Sequence, residues 1–224
     1  MKTALIILSY NDGELSSKLA DQVKDYPSLD HLVLVNNQST DNTLSLLKAV
    51  EAKAPEKVTV VTAPENGGYA KGNNFGMRYA IEHFDADLLF VANPDTFFTD
   101  QTIAAMKTVM EKHPGYGLTA PVVNQGYNAW NLPGFAEEIE SLFLIIFNLH
   151  KKAIKSRLIA SGKEVKSVGV VEGSFFAISR KAYEQIGGMD ERTFIYGEDN
   201  MMSYRLMLND LKVGILTKER YDHL

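Results

Sequence analysis

The sequence predicts an α/β fold, a three-layer sandwich in which helices cover both faces of a mostly parallel central sheet. The first observation is that short apolar runs, suited to strands buried on both faces, alternate with segments whose apolar residues recur at helical spacing. The second is that each of the first four apolar runs ends abruptly in a polar turn. Strands joined through single helices require right-handed crossovers, which make neighbouring strands parallel.

Length and composition indicate one domain over residues 1–224, because this length suits one sizeable α/β domain better than two. The net charge of -5 and the pI near 5.6 argue against a general nucleic-acid binder, which needs a basic surface. The absence of cysteine excludes disulfides and thiolate metal sites and is compatible with the cytoplasm. The apolar run 4–8 is too short for a signal sequence or a membrane span, so we expect it to be the first strand.

The first half of the chain is predicted to contain four strands and three helices. The strands are expected at 4–9, 32–35, 58–61 and 88–92. The helices are expected at 14–25, after residue 41 and at 70–84. Ser39 or Thr40 is placed to cap the second helix.

The second half is predicted to continue the alternation less regularly. The elements are a helix at 101–113, a strand at 117–122, a strand-like segment at 168–178, a short helix at 180–186 and a last helix from Glu198 to about 209. Residues 124–135 include Tyr127 and Trp130 and are expected to form a loop. Such a loop lines a binding cleft or makes a simple surface excursion.

Residues 137–159 combine a strongly apolar stretch with a basic end. The stretch covers 142–147, and the basic residues that follow are Lys151, Lys152, Lys155 and Arg157. An amphipathic helix of this kind suits a membrane surface with anionic lipids, and we expect peripheral membrane contact through about 138–159. The alternatives are a helix packed on the domain core with a solvated tip, or one that forms a homodimer.

The fourth strand ends in Asn93-Pro94-Asp95, and this turn is the centre of the predicted site. Pro94 cannot continue a central strand, so the chain turns and presents Asp95. In an open α/β sheet ligands bind at the carboxyl ends of strands, where a carboxylate can meet a ligand or a metal ion. Because the first three strands also end in polar residues, all four turns are expected at one edge as the active site. The alternative is that Asp95 merely closes a turn.

Five short motifs occur at these turns and near the last helix. They are Ser9-Tyr10-Asn11, Asn37-Gln38-Ser39-Thr40-Asp41, Asn66-Gly67-Gly68-Tyr69-Ala70-Lys71-Gly72-Asn73-Asn74, Asn93-Pro94-Asp95, and Gly187-Gly188-Met189-Asp190-Glu191 with Tyr196-Gly197-Glu198-Asp199. Their types and order, over residues 4–206, resemble the family 2 glycosyltransferases, in particular the rhamnosyltransferase-like branch. The resemblance implies a GT-A fold, a nucleotide-sugar donor, a divalent metal ion and inverting transfer to an acceptor hydroxyl.

For the donor side, the resemblance implies that Asp95 binds a Mg²⁺ or Mn²⁺ ion that bridges the donor diphosphate, and that His223 reaches the same ion. A hard cation with oxygen ligands stabilises the negative charge that builds on a departing diphosphate. Gly67 and Gly68 would let the backbone approach the ligand. The implied donor-binding residues are Ser9, Asn11, Asn36, Asn37, Ser39, Asp41, Asn66, Gly67, Gly68, Lys71, Asn74 and Asn93.

For the acceptor side, Glu198 and Asp199 match the acidic pair of the family, and Asp199 is the expected general base. A base must lie within hydrogen-bond reach of the acceptor hydroxyl and stay ionised, which a helix N-terminus favours. The alternative is that the pair only begins a helix. Trp130, Glu172 and Gly173 are expected to face the acceptor.

The expected function is transfer of a sugar, with rhamnose suggested by the branch, from a dTDP- or UDP-sugar to a saccharide or polyprenyl-linked acceptor in cell-surface polysaccharide synthesis. The nucleotide-sugar-binding part is expected at about 1–122 and the acceptor side at about 123–224. The expected location is cytoplasmic and peripheral at the inner face of the membrane.

Three differences from the family pattern motivate a second interpretation. Asn36 stands where relatives commonly have Asp, Met201 stands where another Asp usually follows the acidic pair, and the chain stops at Leu224, earlier than most relatives. Asn36 can still accept a hydrogen bond from a pyrimidine N3–H. The alternative function is a catalytically weak nucleotide-sugar-binding or scaffold homologue. A sugar nucleotidyltransferase would need a glycine-rich basic segment after the first strand, which Tyr10-Asn11-Asp12-Gly13-Glu14 does not supply.

Overall fold

A central sheet organises the computed structural model, which describes residues 1–132 and 162–224. Its strands, with the two that form a separate ribbon, are β1 Thr3–Ser9, β2 His31–Asn36, β3 Val58–Thr62, β4 Leu88–Ala92, β5 Thr96–Phe97, β6 Tyr116–Val123, β7 Ala129–Trp130, β8 Val165–Val168, β9 Val170–Val171, β10 Phe175–Ser179 and β11 Lys212–His223. The sheet order is β3-β2-β1-β4-β10-β6-β11-β5, with β8 also paired to β11. The predicted α/β class is confirmed.

The direction of the strands is mostly parallel, as predicted. Strands β3, β2, β1 and β4 are parallel, and β11 is parallel to β6. Strand β10 runs antiparallel between β4 and β6. Because β2 and β4 pair with opposite edges of β1, the strand order reverses at β1. A crevice opens at the carboxyl end of the sheet at such a point.

Helices cover both faces of the sheet and create two hydrophobic clusters. The helices are α1 Gly13–Val23, α2 Thr43–Glu51, α3 Gly68–Phe84, α4 Asp100–Lys112, α5 Arg180–Ile186 and α6 Glu198–Leu208. Ile6 of β1 belongs to the cluster under α3, α5 and α6, whereas its neighbour Leu5 belongs to the cluster under α1, α2 and α4. This alternation is what a strand buried on both faces requires, and it explains why the sequence of β1 is continuously apolar.

Several local predictions differ from the structure. The predicted loop at 124–135 contains β7, which pairs with β9, and the sequence analysis did not predict β11. Helix α2 begins at Thr43 with Asn42 at its N-cap, so neither Ser39 nor Thr40 caps it. The Ser39 hydroxyl instead accepts a hydrogen bond from the Asn11 backbone, because the turn after β2 must also support the turn after β1.

The predicted amphipathic helix at 137–159 falls entirely within residues 133–161, which lie outside the described part of the chain. The expected membrane contact through about 138–159 therefore stays a prediction. Within residues 1–132 and 162–224, no helix is both long enough and apolar enough to cross a membrane.

Candidate active site

The turns after β1, β2 and β3 are joined by hydrogen bonds at the carboxyl edge of the sheet. The Asn11 side-chain oxygen accepts from the Thr40 backbone N–H at 2.8 Å. The Asn37 side-chain amide donates to the Asn66 side-chain oxygen at 2.9 Å. The turn after β4 is close by, because Asn93 lines the same cleft as Asn37 and Asn66. The predicted meeting of the four polar turns is confirmed.

Two adjoining lobes form the cleft at this edge. The strand lobe, with a volume of about 300 Å³, is lined by Leu8, Tyr10, Asp12, Asn37, Asn66, Gly68, Tyr69, Asn93, Pro94, Phe194 and Ile195. The helix lobe, with a volume of about 500 Å³, is lined by Tyr69, Asn93, Tyr127, Trp130, Glu172, Gly173, Ser174, Ile195, Tyr196, Gly197, Glu198, Asp199 and His223. Tyr69, Asn93 and Ile195 line both lobes, so a ligand with two parts can extend from one into the other.

Asp95 and His223 meet beside the helix lobe. Strand β11 pairs with β5, and this pairing brings the end of the described chain back to the turn after β4. His223 Nε2 lies 3.4 Å from Asp95 Oδ1, and its Nδ1 lies 3.7 Å from Glu172 Oε1. The Leu224 backbone N–H donates to the Asp95 carbonyl at 3.2 Å, which fixes the two segments together.

The Asp95 and His223 donor atoms suit a divalent cation. Two ligands at adjacent corners of an octahedral Mg²⁺ site are about 3 Å apart, close to the separation of Asp95 Oδ1 and His223 Nε2. Among the described residues no group of three or more His, Asp or Glu side chains is arranged to hold a metal ion. Diphosphate oxygens and water would therefore have to complete the coordination, which is the usual way in which Mg²⁺ binds with phosphate ligands.

Glu198 and Asp199 lie in the first turn of α6, at the side of the helix lobe. The helix begins after Tyr196 and Gly197, both with positive φ, at +71° and +88°. Asp199 Oδ1 accepts from the Asn200 backbone N–H at 2.7 Å. Burial raises the pKa of Glu198, and its Oε2 has no hydrogen-bond partner among the described residues. The two neighbouring carboxylates therefore have different environments.

Trp130 and Glu172 are held at the helix lobe by local pairing. Strand β7 pairs with β9, and this ribbon carries Trp130 next to α6. The Trp130 indole N–H donates to the Asn200 side-chain oxygen at 3.0 Å. The structure thus brings Trp130, Glu172 and Gly173, the residues predicted to face the acceptor, into one lining with Asp199.

Tyr69 connects the two lobes, and the sequence analysis did not select it. Its hydroxyl donates to the Gly173 carbonyl at 2.5 Å, and its backbone N–H donates to the Phe194 carbonyl at 2.8 Å. Burial, with nearby Glu198 and Asp199, raises the pKa of Tyr69 far above its ordinary value, so the hydroxyl stays protonated. The position of Tyr69 inside the glycine-rich motif at 66–74 is the feature of the sequence that could have indicated its place at the cleft.

Several residues predicted to bind the donor support the cleft from outside its lining. Asn36 is only 3% exposed, and its side-chain oxygen accepts from the Ser39 backbone N–H. The Asn74 amide bonds both Met189 and Glu191, which ties α3 to the segment before α6.

The remaining donor-binding predictions are also engaged away from the lobes. Ser9 is fully buried and donates to Ser16. Lys71 pairs with Glu65 at the surface. Hydrogen bonds from the Thr43 side chain and from the Thr43 backbone N–H lower the pKa of Asp41. Asn11 and Ser39 join turns, as described above, and Gly67 precedes α3 as its N-cap.

Comparison with known protein families gives one match over nearly the whole chain. The sequence model described as "Glycosyltransferase like family 2" matches residues 2–221. The match includes every residue that lines the two lobes except His223.

Two curated relatives and one solved structure are similar to this chain. The low-salt glycan biosynthesis hexosyltransferase Agl10 of Haloferax volcanii is 24% identical over 213 residues, covering 94% of this chain and 63% of that protein. The dTDP-rhamnosyl transferase RfbF of Shigella flexneri is 22% identical over 194 residues, covering 86% and 59%. The mannosyltransferase PcManGT of Pyrobaculum calidifontis, solved with GDP-Man and Mn²⁺, superposes with a TM-score of 0.72 at 18% identity, covering 99% and 56%. The chain thus spans roughly three fifths of the length of these proteins.

Proposed function

Since this chain belongs to the family 2 glycosyltransferases and has a GT-A fold, we propose that it is an inverting, metal-dependent glycosyltransferase. It transfers a sugar from a nucleotide diphosphate to an acceptor hydroxyl. One observation carries this proposal. The helix lobe is lined both by His223, which contacts Asp95, and by the acidic pair Glu198 and Asp199.

The donor is proposed to bind with its nucleoside in the strand lobe and its diphosphate toward Asp95. The similarity to PcManGT, which was solved with GDP-Man and Mn²⁺, supports a nucleotide-sugar donor. The similarity to RfbF, named a dTDP-rhamnosyl transferase, supports dTDP-rhamnose as the donor, and a UDP-sugar is the other candidate. The strand lobe corresponds to the proposed nucleotide-binding part at about 1–122, with Phe194 and Ile195 added from the second part.

Asp95 and His223 are proposed to hold the Mg²⁺ or Mn²⁺ ion. When bound, the cation supplies electrostatic stabilisation of the negative charge on the departing diphosphate. Asp95 contributes a hard carboxylate oxygen, which suits either ion. His223 positions the Asp95 carboxylate in the absence of the ion and offers a nitrogen to it in its presence.

Asp199 is the proposed general base. It accepts the proton of the acceptor hydroxyl while that oxygen forms a bond to the anomeric carbon and the bond from this carbon to the diphosphate oxygen breaks. Attack opposite the leaving group inverts the anomeric centre in a single displacement. The N-terminus of α6 favours the ionised form of Asp199.

The acceptor is proposed to enter the helix lobe, in the part of the chain at about 123–224. Trp130, Tyr127 and Tyr196 give this lobe aromatic walls, while Glu172 and the Gly173 backbone give it polar groups. Such a lining suits a saccharide, whose rings have both apolar faces and hydroxyl edges. A polyprenyl carrier on the saccharide, a homodimer and a cytoplasmic location at the inner face of the membrane stay predictions.

Calorimetric titration with dTDP and UDP, each with and without Mn²⁺, tests the proposed function. We expect Mn²⁺ to strengthen binding of at least one nucleotide, followed by slow release of sugar when the matching donor is supplied with water alone. Absence of binding by either nucleotide in the presence of Mn²⁺ would contradict the proposal.

A further inference from the structure

Asp12 carries the only charged side chain among the described residues that line the strand lobe. The other lining groups are apolar, aromatic, amide or backbone groups. This arrangement is unusual for a lobe proposed to receive part of a nucleotide diphosphate, because the charge of Asp12 has the same sign as that of the ligand. The inference below rests on the proposed function.

The Asp12 carboxylate is fixed by a short chain of buried hydroxyls. Ser16 donates to Asp12 Oδ1 at 3.0 Å, and Ser9 donates to Ser16 at 2.6 Å. Ser9 and Ser16 are both fully buried. Although Asp12 occupies the N-cap position of α1, its side chain makes no capping hydrogen bond. Helix capping, the ordinary role of an Asp at this position, therefore does not explain the carboxylate.

Electrostatics decides which part of a nucleotide can lie against Asp12. Like charges about 4 Å apart repel by about 1 kcal/mol even in water, and by more in a partly buried lobe. A diphosphate is therefore disfavoured beside Asp12, whereas beside Asp95 a bound cation would offset the same repulsion. Burial also raises the pKa of Asp12, although hydrogen bonds from Ser16 and the backbone act in the opposite direction. A further hydrogen-bond donor would stabilise the ionised carboxylate.

We propose that Asp12 is a donor-specificity residue that accepts a hydrogen bond from the nucleoside. The two groups with this chemistry are an imino N–H of the base and the ribose 2′-hydroxyl. The sequence analysis gave the base contact to Asn36, but the Asn36 oxygen accepts from Ser39 and the residue is buried. Asp12, from the turn after β1, supplies the carboxylate that the end of β2 lacks.

Titration of wild type and Asp12→Asn with UDP, dUDP, dTDP and CDP, all with Mn²⁺, tests this inference. Asn keeps an oxygen acceptor but loses the charge, and losing the charge-assisted part of a hydrogen bond corresponds to roughly a 3- to 10-fold loss of affinity. If the partner is the imino N3–H, the variant loses affinity for UDP, dUDP and dTDP but not for CDP, whose N3 carries no hydrogen. If the partner is the 2′-hydroxyl, the loss affects UDP and CDP but not the deoxy nucleotides. An equal loss for all four, or no loss, would overturn the inference.

Two further variants separate this inference from folding effects. Asp25→Asn removes the same charge from an exposed position just beyond the far end of α1 and is expected to bind all four nucleotides like wild type. Ser16→Ala keeps the Asp12 carboxylate but removes its buried partner, so we expect a smaller loss with the same nucleotide pattern. If wild type binds none of the nucleotides, the proposed function itself fails. If wild type binds them and Asp12→Asn binds identically, only the role of Asp12 fails.

Discussion

Two neighbouring carboxylates at the start of α6 differ in what surrounds them. Asp199 accepts a backbone hydrogen bond, whereas burial leaves Glu198 Oε2 without a partner among the described residues. A backbone N–H that donates to a carboxylate stabilises its ionised form, which is the form that can accept a proton. This contrast is the physical reason for assigning the base to Asp199.

Asp199→Asn should preserve nucleotide binding and lose turnover. An amide of the same size keeps the shape of the helix start but cannot accept the proton, so we expect sugar release from the donor to fall by about 10²- to 10⁴-fold. The nucleotide Kd should stay within about threefold of wild type, measured by calorimetry with Mn²⁺. Asp210→Asn, the same change just beyond the other end of α6, is the control. Turnover of Asp199→Asn at the wild-type rate would show that the base is another group.

Glu198→Gln should make the protein more stable at neutral pH. Because the pKa of Glu198 is raised in the folded state, its favourable contribution is complete below its ordinary value of 4.5 and is lost as pH rises through the raised value. Gln is neutral throughout, so we expect urea unfolding at pH 7.5 to show a gain of roughly 0.5–1 kcal/mol. Near pH 4 the two proteins should be equal. The exposed Glu56→Gln serves as the control, and a gain that is the same at both pH values would refute the explanation.

At the scale of single residues, the sequence predicted which acidic residues lie at the cleft better than it predicted the hydrogen-bond partners of the polar side chains. Asp95, Glu198 and Asp199 are found at or beside the cleft because short motifs fix their place at the ends of elements. His223 reaches Asp95 on β11, a strand that the sequence did not predict. The side chains of Asn36 and Asn74 could not be assigned in the same way. An amide in a motif looks the same whether it meets a ligand or a neighbouring backbone, and only the packed structure distinguishes these cases.

At the scale of elements, the start of α3 determines how closely the loop before α6 approaches the strand lobe. Gly68 has a φ of +79°, and a Cβ at this position would collide with the carbonyl oxygen of Phe194. The same carbonyl accepts the Tyr69 backbone N–H. The loop that carries Phe194 and Ile195 into the lobe therefore depends on a glycine.

Gly68→Ala should destabilise the fold and weaken nucleotide binding together. The positive φ and the collision with a backbone atom should lower the free energy of unfolding by roughly 1–3 kcal/mol, measured with urea. Displacement of Phe194 should also weaken nucleotide binding in calorimetry. Gly115→Ala is the matched control, because no atom lies within 4 Å of its added Cβ. A Gly68→Ala protein with wild-type stability and affinity would mean that the loop moves freely.

The elements that the sequence predicted are those whose pattern is local. Strands β1 to β4 and helices α1, α3 and α4 were predicted to within two residues at each end, and α2 was predicted only in its place after residue 41. Buried parallel strands are continuously apolar and their helices are amphipathic, so both patterns are visible in the sequence. Strand β11 was not predicted, because its second half, from Lys218 onward, is polar and pairs with β5 and β6 only through distant contacts. The antiparallel position of β10 between β4 and β6 was not predicted either, because it depends on pairing with strands that are distant in sequence.

At the scale of the whole molecule, the reversal of strand order at β1 creates one cleft from both halves of the chain. The turns after the first four strands form one lobe, and α6, the β7–β9 ribbon and the end of β11 form the other. The composition argued against a general nucleic-acid binder but could not predict this division. Strand β11 pairs with β5, and this pairing brings His223 to Asp95. The end of β11 thereby connects the two lobes into one site.

The central claim is that the donor's cation binds at Asp95 and His223, and electron paramagnetic resonance of Mn²⁺ tests it most directly. We expect wild type to bind Mn²⁺ strongly only when the preferred nucleotide, dTDP or UDP, is present. Asp95→Ala should lose this bound signal, and His223→Ala should weaken it about 10-fold or more. Bound Mn²⁺ at wild-type affinity in Asp95→Ala would contradict the account.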